Sequence, residues 1–350
     1  MSVLGPVPAD ALGITLLHEH LLSDCTPYYA APADPELAAV GSAPVSIGSL
    51  HLLRRNLFAV RDNLLLGDLD TTVAEAALFR DLGGGTIVDT TPPDIGRDPR
   101  GLAEVARRTG LTVVMGCGHY IHPVHPPGLD DEPEGSIADR IVAEIEGGVG
   151  DTGIRPGIIG EIGTWDPLHP TEAKVLRAAA RAQRATGLAI TIHNHIAARA
   201  GLAVLDILEA AGADLTRVVM GHLDIAFGHL DTDVAAVLDY HRAVLARGAY
   251  VEYDTFGAEV FAPPSPVTPP FWTPSDLTRA RAVAQLVAEG HGDRLILSHD
   301  VFTKAQLVAY GGFGYGHILR DSQHRLREVG LGDAEVRRIL VENPRRVLAG

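Results

Sequence analysis

Eight times along the 350-residue chain a short apolar, β-like run alternates with a segment of helical spacing, and no composition break interrupts the series. The runs fall at 12–17, 86–89, 112–115, 157–161, 189–193, 218–222, 249–253 and 294–298. Helical patterns cover 69–82, 100–109, 137–147, 171–186, 201–211, 234–246 and 277–289, and 333–348 reads as a closing helix. Short Gly-containing turns separate these helices from the strands that follow. Such alternation builds a parallel sheet covered by helices, and eight units favour an α/β fold of the closed (β/α)8 TIM-barrel type over an open doubly wound sheet. One domain over residues 1–350 is expected, with long loops at the C-terminal face. The Pro-, Ala-, Gly- and Ser-rich stretch 23–49 reads as an excursion over the barrel mouth.

Chemistry in such barrels sits at the C-terminal ends of strands, and there the candidate ligands collect. The first run leads into His18-Glu19-His20, whose alternate imidazoles can reach one ion from one face of a strand. Later runs end in Glu161, His193, His222 and Asp300. Four histidines and two carboxylates exceed what one tetrahedral catalytic zinc with an open position needs, and they suit two divalent ions sharing a carboxylate and a hydroxide. His18, His20 and Asp300 are assigned to one ion, His193 and His222 to the other, and Glu161 to the bridge. The mixed N/O set suits zinc, with manganese, cobalt or iron as chemical substitutes. Paired metals acidify the bridging water, and Asp300 is placed to accept its proton and pass it on.

Charge and cysteine content narrow the partners. The formal charge of −15, without a concentrated Lys/Arg stripe, argues against nucleic acid or an anionic membrane surface and for a small-molecule substrate. Only Cys25 and Cys117 are present, so no disulfide framework is implied and a reducing cytoplasm fits. No run reaches membrane-spanning length, and the N-terminus lacks the features of a secretory signal.

The segments Gly13-Ile14-Thr15-Leu16-Leu17-His18-Glu19-His20, Asp94-Ile95-Gly96-Arg97-Asp98, Gly221-His222-Leu223-Asp224, Asp254-Thr255-Phe256-Gly257, Gly311-Gly312-Phe313-Gly314-Tyr315 and Glu342-Asn343-Pro344, with 151–159, resemble the phosphotriesterase family of the amidohydrolase superfamily. The resemblance runs over almost the whole chain. It implies metal ligands at His18, His20, Glu161, His193, His222 and Asp300, the set already reached from strand ends, and it implies a homodimer. Organophosphate hydrolases and their nearest lactonases carry a carboxylated lysine as the bridge. Glu161 stands there in this chain, which resembles the phosphotriesterase-related branch and puts a phosphotriester substrate in question. Lys174, the nearby lysine, reads as a solvated helix residue.

Around the centre, Tyr120 is expected to contact substrate or the bridging hydroxide, and Asp224 to orient a ligand or relay protons. The loop 254–275, with Phe256, Phe261 and Trp272, is the expected wall of the substrate pocket. His119, His122 and His125 read as rim residues, and His299 as structural. The functional expectation is a binuclear hydrolase acting on a carboxylic ester or lactone, with phosphotriesterase activity as a side reaction. An amidase acting on an N-acyl substrate is the alternative, and a non-catalytic ligand-binding protein on this fold is the third.

Overall fold

The computed structural model describes residues 1–195, 199–228 and 233–349, and the backbone alone at 36 and 37. Eight parallel strands carry the centre: β1 Ile14–Glu19, β2 Gly84–Asp89, β3 Thr112–Met115, β4 Ile159–Gly163, β5 Ile190–His193, β6 Val218–Met220, β7 Tyr250–Tyr253 and β8 Leu295–Leu297. Helices α1 Leu69–Asp81, α2 Pro99–Thr109, α3 Glu134–Gly147, α4 Pro170–Thr186, α5 Gly201–Ala210, α6 Val234–Ala246 and α7 Asp276–Ala288 follow the first seven strands in turn. The closing segment runs from Asp333–Arg337 through a wide turn at Arg338–Glu342 into α8, Asn343–Ala349.

The starts and stops of these helices follow from local chemistry. Asp68 and Asp98 cap α1 and α2 by accepting from the free N–H groups of the first turn, and Pro99 begins α2 where no N–H is missed. Gly110 and Gly187 end α2 and α4 in the left-handed conformation.

Strands β1 to β3 pair in sequence order, and β4 to β8 pair likewise. Two seams complete the (β/α)8 barrel. Across β3 and β4, Gly157 donates to the Met115 carbonyl and Gly160 to that of Cys117. Across β8 and β1, the His18 N–H donates to Ser298 Oγ at 2.9 Å, and Asp300 donates to the His18 carbonyl. Glu19, between the two histidines of the first motif, turns away from the axis and accepts from the backbone of His299 and Val301. Leu17, Val88, Val114, Val219 and Ile296, one from each of five strands, form a single apolar cluster, a contact available only across the barrel axis.

Near the ligands, β1 and β4 depart from simple alternation. The β1–β2 register shifts between Leu16 and Glu19, and the β4–β5 register shifts between Ile159 and Ile162. Each shift adds one residue to the ligand-bearing strand, and such bulges re-aim side chains at barrel rims. They bring His18 and Glu161 toward the axis. Gly160 makes the second bulge possible: its φ is +122°, and a Cβ there would collide with the Thr191 carbonyl.

Candidate metal centre

Six strand-end residues meet at the C-terminal mouth. Glu161 is central: its Oε2 lies 3.2 Å from His18 Nε2, 3.1 Å from His193 Nδ1 and 3.7 Å from His222 Nε2, while Oε1 lies 3.4 Å from His20 Nε2. Asp300 Oδ1 is 3.3 Å from His20 Nε2, and His193 Nδ1 is 2.8 Å from His222 Nε2. His222 and Asp300 have φ of 58° and 49°, and among the described residues they are the non-glycine positions in the left-handed region. Backbone strain of this kind collects where a side chain must be aimed against local preference.

Outer partners fix the rings. His222 Nδ1 lies 3.0 Å from Asp254 Oδ1, its backbone N–H donates to Asp254 Oδ2, and His20 Nδ1 lies 2.8 Å from Thr91 Oγ1. His18 Nδ1 faces Asp254 at 3.4 Å and Glu252 at 3.6 Å. Burial alone would raise the Glu161 carboxyl, yet His18 and His193 hold it well below the usual range. Burial, with His222 beside it, brings His193 down to about 4, and burial lifts Glu252 to about 7.

The donor set fits divalent metal. Both nitrogens of His18 and Oε1 of Glu161 are buried without a hydrogen-bond partner, and among the described residues no Lys or Arg neutralises Glu161, Asp300, Asp254 or Glu252. Buried carboxylates without a cation are costly, and ions held between these nitrogens and oxygens would repay that cost. The groupings His18–His20–Asp300 and His18–Glu161–His222 each bring their ligand atoms within 4.8 Å of one another. A grouping away from this centre, His122, Asp130 and His169, is a poorer chelate because the two imidazoles stack at 3.4 Å and 17°, so their lone pairs run side by side.

The Tyr120 hydroxyl lies 3.1 Å from His193 Nδ1 and 2.7 Å from the Tyr28 hydroxyl, beside the ligand cluster. Asp224 does not orient a metal ligand. Its Oδ2 accepts from Arg279 Nε at 2.7 Å and from Thr255, in a fully buried ion pair behind the wall, and Asp254 takes the partnering role instead. The expected pocket aromatics are also corrected. The loop 254–275 does wall the cavity, but Phe256 packs inward beneath the Arg279 guanidinium, and Phe261 and Trp272 stack on each other. The small antiparallel pair Phe261–Ala262 with Phe271–Trp272 alternates its faces, so Phe271 lines the cavity while Trp272 is exposed.

His299 is structural, its Nδ1 2.8 Å from Glu19. His119 is buried against Asp94 rather than set on the rim. Lys174 is no bridge, nor is it merely solvated, since its ammonium donates to the carbonyls of Leu129, Asp130 and Glu132. The sequence marks Asp254 only within a resembling segment and at the start of the pocket loop, and it does not single out Glu252, a charged residue inside the apolar run 249–253.

The sequence profile of the phosphotriesterase family matches residues 1–348. The chain belongs to the phosphotriesterase family. It is 37% identical over 350 residues to an N-acetyltaurine hydrolase of Danio rerio, covering 99% of this chain and 97% of that protein. A resiniferatoxin-binding protein from Rhodobacter sphaeroides superposes with a TM-score of 0.93 at 41% identity, covering 99% of this chain and 94% of its own. A variant of a phosphotriesterase-like lactonase from Deinococcus radiodurans gives 0.76 at 28% identity, with 99% of each chain covered. This member of the family is a hydrolase with candidate metal-binding groups at the strand ends.

Proposed function

We propose that the chain hydrolyses an N-acyl amide at a binuclear metal centre held by His18, His20, Glu161, His193, His222 and Asp300. The observation that carries the reading is the convergence of four imidazoles on the buried Glu161 carboxylate in a chain whose full-length curated relatives are named for cleaving an acyl–nitrogen bond. The order of the two enzyme readings is thereby reversed: ester or lactone hydrolysis becomes the second, favoured by the likeness to a lactonase structure.

Bound divalent ions, zinc foremost, would supply an acidified water and polarise the acyl carbonyl. Asp300, its carboxylate facing the cavity, takes the proton released as the water oxygen bonds to the acyl carbon. It returns that proton to the nitrogen as the C–N bond breaks, which matters because an amide nitrogen leaves poorly as an anion. The Tyr120 hydroxyl, tethered by Tyr28, borders the same space and positions the acyl group. Asp254 and Thr91 keep the rings of His222 and His20 turned to the centre.

A panel of N-acyl amides, lactones, aryl esters and phosphotriesters, ranked by kcat/KM on protein of measured metal content, tests this. Lactones or esters ranking first would replace the amide reading with the second. Absence of hydrolysis with every divalent metal would remove the enzyme reading altogether.

A further inference from the structure

Above the ligand cluster the cavity is walled by Leu57, Phe58, Ile225, Val260, Val267 and Phe271, and none of its described lining residues is Lys or Arg. Residues 196–198 and 229–232, outside the described part, contain no Lys or Arg in sequence. Among the described residues, Arg279 and Lys304 are both engaged elsewhere. Arg279 is fully buried behind Thr255, with its guanidinium donating to Asp224, Asp276, Thr255 and the Ala258 carbonyl. Lys304 Nζ lies 2.6 Å from Asp62 Oδ1. The floor carboxylates Glu161 and Asp300 would be offset by the ions of the proposed centre, so the walls set the preference, in a chain whose formal charge is −15.

An anionic group entering this space would give up its hydration and find no permanent cation on the walls, a loss that only pairing repays. An alkyl or aryl group would gain from the same surroundings, by about fourfold in affinity for each methylene buried. We propose that the substrate is a neutral N-acyl amide whose aliphatic or aromatic part fills this cavity, and that the chain discriminates against amides ending in a sulfonate or carboxylate. The inference rests on the amide reading for the bond that is cut, and on the cavity alone for the part that is recognised.

The test uses the full-length, metal-replete protein and matched pairs of amides differing only in a neutral alkyl or a sulfonate terminus, with a parallel set of esters. The neutral amides should show a kcat/KM at least about tenfold higher, rising by about fourfold per added methylene until the cavity is full. Equal or better turnover of the sulfonate-terminated amides, or a flat response to chain length, overturns the proposal while leaving amide hydrolysis intact. Should esters be cleaved and amides not, the amide reading fails and the neutral-to-anionic ratio among the esters decides the specificity. Should neither be cleaved, calorimetric titration with the same pairs decides it, tighter binding of the anionic member counting against the proposal.

Discussion

Asp254 holds His222 at two points, 2.8 Å from its backbone N–H and 3.0 Å from its ring Nδ1. The residue is thus clamped in both the left-handed backbone conformation and the ring orientation that face Nε2 to Glu161. Asp254→Ala should lower metal affinity or turnover by about 10–100-fold, the usual cost of losing such a partner. Metal titration of the variant checks this, and unchanged affinity would show the clamp to be dispensable.

Asp300 is assigned the proton transfer to the leaving nitrogen, so Asp300→Asn should cut kcat on an amide by about 10²–10⁴-fold. The loss should be smaller on an aryl ester, whose leaving group departs without a proton. Equal losses on both substrates would move Asp300 from proton carrier to ligand only.

Metal removal should lower stability as well as activity. A ligand present at about 100 times its Kd contributes roughly 2.7 kcal/mol, and stripping it leaves Glu161 and Asp300 with only the titratable imidazoles of the surrounding histidines, His18 and His20 among them, beside them. Thermal unfolding with and without a chelator should show a lower Tm for the stripped protein, restored by a divalent ion. A Tm indifferent to chelation would argue against a centre loaded in the folded state.

Arg279 and Asp224 are both fully buried, so removing either leaves the other uncompensated. Arg279→Ala should destabilise by about 3–5 kcal/mol in urea unfolding. Asp224→Asn should lower stability and leave metal affinity where it was; a tenfold fall in affinity would restore Asp224 to the centre's support.

His241 gives the fold a pH dependence of defined sign. Burial brings its imidazole from the usual 6.5 down to about 3, and its nitrogens face the Tyr253 hydroxyl and the Leu223 carbonyl. The unfolded chain therefore binds a proton that the folded chain refuses, so this contribution is complete above pH 6.5 and is lost as pH falls toward 3. Between about pH 7.5 and pH 5 the loss is about 2 kcal/mol. Urea unfolding across that window checks it, and a His241→Phe variant should show a shallower slope. An unchanged slope would exclude His241 as the source.

Period and alternation made the barrel and the strand-end ligands legible, because parallel strands buried on both faces tolerate a charge only at the end that opens on the site. What alternation concealed were its own exceptions. His18 and Glu161 face the axis because β1 and β4 each carry an extra residue, a shift that depends on the neighbouring strand's register. Asp224, two residues beyond His222, looked like its partner by proximity in sequence, whereas Asp254 reaches it from the adjacent strand. Phe261 and Trp272 had the right composition for a pocket wall, but the two-residue pairing that turns them away from Phe271's face has no clear signature in a proline-rich loop.

The seam between β8 and β1 joins residues 280 positions apart through Glu19, His299 and Val301, and the same seam sets His18 beside Asp300. During synthesis the ribosome has therefore delivered His18, His20, Glu161, His193 and His222 well before their last companion. Until that final strand emerges the proposed ligand set would lack Asp300, so a metal centre of this composition would be completed only as the barrel closes.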